Sequence, residues 1–532
     1  MVSNLRNKMM LIGIAGTPND FLLSPYVLKC YLCQSNDINK HIDIVVQQYG
    51  SIPPTRIEEE AETILRDIEE MQPDIVGFAC YVWNMDAVRL ISSKLKQRHE
   101  NIIIVLGGPE IATEDIVSGV FDKYAVDYFI SGEGELPLLA LLNSQIRIRS
   151  EDEIKNIKGL AYKKGGKVLC NVEAEVLEDI DQLPSPYLEG YVSDEVLSMQ
   201  DIRANIETQR GCNFKCAYCF YHKNFPKIRY RDADVVVKEL EYVYKKGIKQ
   251  GRIVDANFLS DKMYAKTILK GLIELEIRMD LLFEILPQFV DEEVAHLFGQ
   301  YIRLSKENRV MVGMGIQTIN QEALAVIKRK IPVRFFDKAF RLLQEEGVII
   351  KSDIILGLPR ETKESYFKTL EYITEKMRYG TNLLSLALLR MLPGTDLIKI
   401  CESEDLINDN RDNSHFVYAT PTLPRKDMLE CLRLNVIAYR LLTSTGMMGI
   451  RDMYFDAKDT LNVMNIELLQ YFESEVFCFL KEKDADYVKP DFPNAETYLG
   501  ARIFSEISDV WLLEKFRIIK EHGILGSTQS VR

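Results

Sequence analysis

The sequence predicts an α/β protein in three parts: a doubly wound domain, a partial (β/α)6 barrel and a mostly helical C-terminal region. Three observations carry this. Residues 1–145 alternate short, nearly continuous apolar runs with amphipathic stretches, a second such series begins near 201, and helical periodicity dominates after about 396. Unbroken apolar runs are those of parallel strands covered on both faces, whereas apolar residues at a 3.6 period mark a helix with one buried stripe.

In residues 1–145, "KMMLIGIAG", "HIDIVVQQYG", "DIVGFACYVW", "NIIIVLGGPE" and "YFISGEGE" read as five strands, with "RIEEEAETILRDIEEM" and "MDAVRLISSKLKQRH" as helices between them. A sheet wound this way offers its ligand crevice beyond the strand C-termini, where glycines let a ligand approach the backbone. Residues 146–200 read as a connector, with "GLAYKKGGKVLC" a hairpin turning at Gly165-Gly166 and "DQLPSPY" extended through its prolines. The barrel spans 201–396, its strands being "IETQRG", "GRIVDANF", "MDLLFEILP", "RVMVGMGIQ", "IIKSDIILGLP" and "LLSLALLRMLP". Functional residues on such a barrel gather at the C-terminal strand ends. Residues 397–532, with "RKDMLECLRLNVIAYRLLTS" and "VWLLEKFRIIKEHG", read as helices and carry no chemical motif.

Composition narrows the function classes. At 532 residues, 47% apolar and 27% charged, the chain is that of a multidomain globular protein. No run approaches the roughly 18–20 apolar residues of a membrane span, and the start lacks a cleavage site, so the expectation is a cytoplasmic protein with no membrane partner. A formal charge of −13 argues against a nucleic-acid partner, which needs a basic face. The ten cysteines stand singly apart from Cys30/Cys33 and one trio, which is no disulfide framework. Cys30 and Cys33 lie in an amphipathic stretch and read as buried packing.

The trio is in "RGCNFKCAYCFYHK", residues 210–223, as Cys212, Cys216 and Cys219. One reading is a zinc site with His222 as fourth ligand. The others are a purely structural cluster and a four-iron cubane whose fourth iron stays open for chemistry. Placement directly after the first barrel strand favours the cubane, because zinc modules are small and this trio opens a long βα array.

Cysteine, three residues, cysteine, two residues and cysteine resembles the signature of the radical S-adenosylmethionine (radical SAM) superfamily. The resemblance implies a [4Fe-4S] cluster on Cys212, Cys216 and Cys219, SAM on the open iron, and Tyr218 near the adenine. "DANFLSD" resembles a segment of cobalamin-associated members, implying Asp255 and Asn257 near the methionine moiety, although the family's Gly-Gly-Glu segment is absent there. "GMGIQTINQEAL" implies SAM contacts from Gln317 and Thr318, and "DIILGLPRET" and "LPGTDL" imply Leu356 and Pro393 flanking the adenine.

Upstream of such a barrel, "LGGPE" and "SGEGE" resemble strand ends of the cobalamin-binding domain of class B radical SAM enzymes. This implies a Rossmann-like domain holding cobalamin with Gly107, Gly108 and Pro109, with Ser131, Gly132 and Glu133, and with Trp83 and Asn84 at the corrin edge. The Asp-x-His-x-x-Gly segment that ligates cobalt in many cobalamin proteins is absent, which implies an open or water-bound lower face. A domain that keeps this fold without cobalamin is the alternative.

The two-domain order implies a cobalamin-dependent radical SAM methyltransferase. A 5′-deoxyadenosyl radical abstracts hydrogen from an unactivated carbon, which then takes a methyl group from methylcobalamin. The runner-up is radical cyclisation, ring contraction or rearrangement without methyl transfer, and the third reading is a tRNA-modifying radical SAM enzyme. The expected partners are a small-molecule or peptide substrate and an external electron donor such as flavodoxin or ferredoxin.

Overall fold

The computed structural model describes residues 6–17, 20–146, 151–171, 175–221, 227–329, 331–380, 382–404, 407–408, 415–443, 448–484, 503 and 506–522. His222 of the zinc reading and the last ten residues lie outside them.

The first five apolar runs become Asn7–Ile14 (β1), Ile42–Tyr49 (β2), Ile75–Ala79 (β3), Ile103–Gly107 (β4) and Tyr128–Ile130 (β5). They pair in parallel in the order β2-β1-β3-β4-β5. Both faces of β1 are covered. Met10, Ile12 and Ile14 pack with Ile64, Ile68, Ile91 and Leu95, while Met9 and Leu11 pack with Leu32, Leu138 and Leu142 on the other side. This two-sided burial is why the runs are unbroken in the sequence. The chain order reverses at β1 and β3, the position at which doubly wound sheets open a crevice.

The hairpin read as part of the connector does turn at Gly165-Gly166, but it belongs to this sheet. Leu160–Lys164 (β6) pairs antiparallel with β5, and Lys167–Cys170 (β7) with β6, giving seven strands. The short β5 would otherwise present an open ladder edge.

The second series is Arg203–Ile206 (β8), Gln209–Arg210 (β9), Arg229–Tyr230 (β10), Gln250–Ile253 (β11), Asp280–Ile285 (β12), Val310–Gln317 (β13), Ile349–Leu356 (β14) and Leu383–Leu388 (β15). Six of these form one parallel sheet in the order β8-β11-β12-β13-β14-β15. The first barrel strand lies earlier than "IETQRG". It ends at Ile206 because the Asp255 carboxylate accepts from the Thr208 and Gln209 N–H groups and draws them off the sheet. β9 then pairs antiparallel with β10, closing the base of the cysteine loop.

Helix starts in the barrel are written in the sequence. Asp232, Asp261, Asp291, Asn320 and Thr362 each accept a backbone N–H at a helix N-cap. Each such cap contributes about 1 kcal/mol. The C-terminal region is helical as read, with Arg425–Leu442, Met448–Leu461, Asn465–Lys483 and Asp509–His522 sharing one hydrophobic core with the barrel. Among the described residues no helix is long and apolar enough to cross a membrane.

Candidate functional site

The cysteine loop leaves the barrel at a closed stem. Arg210 and Arg229 stand directly opposite each other across β9 and β10. Gly211 follows at φ 109°, and a Cβ there would fall within van der Waals overlap of the Lys227 carbonyl, so only glycine fits. Cys212, Cys216 and Cys219 are all free thiols, Cys216 buried and the other two half-buried. Burial pushes the Cys219 thiol up to about 11, helped by the neighbouring Cys216 and Cys212. Among the described residues no three His, Cys, Asp or Glu side chains converge as a single-ion site. A cubane spreads its thiolates over separate irons and needs no such convergence.

Arg329 binds this loop to the barrel. Its guanidinium donates to the Cys216 sulfur at 3.6 Å, to the Tyr218 hydroxyl at 3.2 Å and to the Gly315 carbonyl at 2.5 Å. Gln317 joins it from a bulge in β13 between Gly315 and Gln317, at φ 65°. The bulge aims the Gln317 amide at Tyr218 and leaves its Oε1 buried without a hydrogen-bond partner. Cys216, Tyr218 and Gln317 are therefore brought together. Arg329 was missed, and no motif in the sequence marks it.

The other predicted SAM contacts have partners within the scaffold. Asp255 is buried and accepts from Thr208 and Gln209, while burial pushes its carboxyl up to about 7. Asn257 is buried with Oδ1 accepting from the Leu286 N–H and Nδ2 donating to Ser260. Thr318 turns to the helix Lys363–Lys376, its hydroxyl 3.1 Å from that of Thr369. Leu356 is in the core, its carbonyl accepting from the Leu389 N–H. Pro393 is buried in the turn that carries Gly394 to the domain junction.

The N-terminal strand ends form the other wall. Trp83 is 47% exposed, stacks on Tyr81 at 4.5 Å and donates Nε1–H to the Ile14 carbonyl. Asn84 is buried instead, its amide donating to the Ile14 and Ala79 carbonyls to tie β1 to β3. Gly107, Gly108 and Pro109 are half-buried at the end of β4. Gly108 has φ 114°, and a Cβ there would lie 2.6 Å from the Cys80 carbonyl oxygen. Ser131 pairs its hydroxyl with Thr113 at 2.9 Å, and Gly132 follows it. Glu133 faces the cysteine-loop stem rather than the crevice, ion-paired with Arg229 and 3.7 Å from Arg210.

The two walls meet. A Cβ on Gly394 would lie 3.2 Å from Ala112 of the N-terminal domain and 3.3 Å from Phe220, the residue after Cys219. Nearby, buried Glu110 sits 3.8 Å from His415. Burial, then Asp115, pushes the Glu110 carboxyl up to about 7, with Arg390 opposing.

Strand parity places four charged side chains in the barrel lumen that the sequence reading did not single out. Arg252 and Glu284 approach to 3.9 Å and Lys351 and Asp353 to 3.1 Å. Glu284 lies across Gly313, where a Cβ would collide with its carboxylate. Alternation of buried and half-buried residues along β12 and β14 was the available signal. A cavity of about 360 Å³ meets the lumen at Lys351 and Ser385 and runs between β15 and Arg425–Leu442, against Leu432, Val436 and Tyr439.

Comparison with known proteins gives one family match on each side of the junction. Residues 206–373 match the family model "Radical SAM superfamily", and 43–142 match "B12 binding domain". The cobalamin-dependent radical SAM methyltransferase TokK of Streptomyces tokunonensis is 25% identical over 334 residues, 58% of this chain and 46% of TokK. The anaerobic magnesium-protoporphyrin IX monomethyl ester cyclase of Rubrivivax gelatinosus is 24% identical over 361 residues, 64% of this chain and 60% of that protein. The matches span between 44% and 66% of the length of the first curated relatives. Among solved structures, OxsB, a cobalamin-dependent S-adenosylmethionine radical enzyme with aqua-cobalamin and S-adenosylmethionine bound, superposes with a TM-score of 0.64 at 16% identity, covering 97% of this chain and 80% of OxsB. That likeness is one of fold.

Proposed function

The chain belongs to the radical SAM enzymes that carry a B12-binding domain, and from that premise we propose that it is a cobalamin-dependent methyltransferase acting on an unactivated carbon of a small-molecule substrate. The observation that carries the reading is the junction at Gly394, where the loop after Cys219 and the segment after β4 share one contact. A radical made at the cysteines and a group held at the strand ends would serve one substrate there.

The residues present fit both groups. Three thiols in one loop with the Arg329 cation against Cys216 suit an anionic cluster. Gly108, which leaves no room for a side chain beside Cys80, and the partly exposed Trp83 leave the strand ends open to a flat macrocycle. Cys212, Cys216 and Cys219 would hold the cluster, Tyr218 and Gln317 would face SAM, and Gly107, Gly108, Pro109, Ser131, Gly132 and Trp83 would face cobalamin. When bound, the cluster supplies an electron to SAM and cobalamin supplies the methyl group.

The chain's own contribution is positioning. Arg329 fixes Cys216 and Tyr218 relative to β13, and Asp255 fixes the turn that launches the loop. Glu110 offers a carboxyl that exchanges its proton near neutrality at the wall of the junction. Arg252, Glu284, Lys351 and Asp353 give the lumen a mixed-charge lining suited to a polar substrate group. An external redox protein would deliver the electron.

The test is anaerobic reconstitution with iron, sulfide and cobalamin, followed by metal counts and a 5′-deoxyadenosine assay. Four irons, stoichiometric cobalt and SAM cleavage that Cys216→Ala abolishes are expected. Cleavage retained in that variant, or zinc in place of iron, overturns the reading. Similarity to the cyclase supports a second reading, radical cyclisation. A product heavier by a methyl group decides for methyl transfer, and one without it for cyclisation.

A further inference from the structure

Two arginines face each other at the stem of the cysteine loop, Arg210 on β9 and Arg229 on β10. Like charges directly opposite on paired strands repel, and both side chains here are at least nine-tenths buried. Their compensation comes largely from the other domain. Glu133 places Oε1 against Arg229 Nη2 and 3.7 Å from Arg210 Nη1, with Oε2 3.2 Å from Arg229 Nη1. Glu135 takes Arg210 Nη2 at 2.8 Å, and Glu207 takes its Nε at 2.9 Å. The Leu177 N–H donates to Glu133 at 3.1 Å, and Arg229 donates back to the Leu177 carbonyl.

The sequence position of this network gives it meaning. Glu133 directly follows Ser131-Gly132, the end of β5 at the crevice, and Arg210 stands two residues before Cys212. Gly211, between Arg210 and Cys212, admits no side chain, because a Cβ there would collide with the Lys227 carbonyl. The connection from crevice to first thiol is thus a short run of backbone and one buried carboxylate. Stability alone gives little reason for it, because replacing a buried ion network with apolar groups is often neutral or stabilising. Fixing one register between its members is the best-attested use of such a network.

We propose that Glu133 is a positioning residue that locks the cysteine loop to the strand-end crevice, so that filling the crevice is felt at the thiols. This rests on the functional reading above insofar as the crevice ligand is cobalamin and the loop ligand is SAM. Coupling of this kind is reciprocal and amounts to a fivefold or larger change in affinity.

The experiment uses the full chain, reconstituted anaerobically, in four forms: wild type, Glu133→Gln, the double variant Glu133→Leu/Arg229→Met, and Arg433→Met. The last breaks a half-buried ion pair with Glu473 far from the loop and controls for general destabilisation. The SAM dissociation constant is measured with and without aqua-cobalamin, and amide hydrogen exchange of residues 209–221 is followed in the metal-free chain. In wild type and Arg433→Met, cobalamin should change the SAM constant about fivefold or more. In both Glu133 variants the ratio should fall to about 1 and the loop amides should exchange faster. The double variant removes charge and counter-charge together but leaves the Leu177 N–H and carbonyl unpaired, so it should melt below wild type yet nearer to it than Glu133→Gln, which separates positioning from stability. A wild-type ratio of 1, or a full ratio retained in the double variant, overturns the proposal. Failure of wild type to take up cobalamin would instead overturn the functional reading. Exchange then still decides on the lock, which stands if both Glu133 variants speed it and Arg433→Met does not, and falls otherwise.

Discussion

The Arg329 guanidinium lies 3.6 Å from the sulfur of Cys216. The contact joins the middle thiol of the loop to a residue more than a hundred positions later, and the same guanidinium holds Tyr218 and the Gly315 carbonyl. Arg329→Met would take the guanidinium donor from the half-buried Gly315 carbonyl and one of the two groups that face the Tyr218 hydroxyl, Gln317 being the other, at about 1–3 kcal/mol in all. Thermal unfolding should show this loss, and iron counts after reconstitution should fall with it. Arg329→Lys keeps the charge but not the fork, so it should recover only part of the stability.

Asp255 serves the loop from beneath. Asp255→Ala removes the acceptor of the Thr208 and Gln209 N–H groups and should cost about 3 kcal/mol in urea unfolding. Asp255→Asn keeps one acceptor oxygen and should cost less. If Asp255 contacted SAM alone, neither variant would alter unfolding of the metal-free protein.

Glu110 sets a pH dependence. Its folded pKa is raised from 4.5 to about 7, so its contribution to stability is fully present below pH 4.5 and is lost as pH rises through about 7. Glu110→Gln should flatten that part of the curve. Melting temperatures of the two proteins between pH 5 and 8 should converge at the acid end and separate toward pH 8, the variant being the more stable. His415, Arg390, Asp115 and Cys80 surround the carboxyl and are unchanged in the comparison.

Gly108→Ala should damage the crevice selectively. Its φ of 114° disfavours any side chain, and the new Cβ would press on the Cys80 carbonyl. A loss of about 1–3 kcal/mol in unfolding is expected. Cobalamin uptake should fall while iron binding at the cysteines persists.

Most of the architecture was legible because parallel strands and their helices write strong local patterns. The five runs before 145 and the six barrel strands are where periodicity put them, with β8 alone displaced by the pull of Asp255 on Thr208 and Gln209. The cysteine spacing was equally local. What escaped was set by tertiary contact: Arg329 reaches Cys216 across the barrel mouth, and Glu133 reaches Arg229 across two domains. Asp255, Asn257 and Thr318 are implied as SAM contacts, and Asn84 as a cobalamin contact, only by resemblance to the family's segments. Short polar side chains at those positions also serve as caps and clamps, and here they do.

The β6–β7 hairpin bears on how the chain can be taken apart. A fragment ending at residue 145 would strip β5 of its antiparallel neighbour and bare a three-residue strand along its whole length. Such a piece would be expected to self-associate through that raw edge. One ending near 171 would carry its own hem. Protease nicking of the native protein should follow the same logic, sparing the sheet through Cys170 so that the N-terminal domain keeps its last two strands.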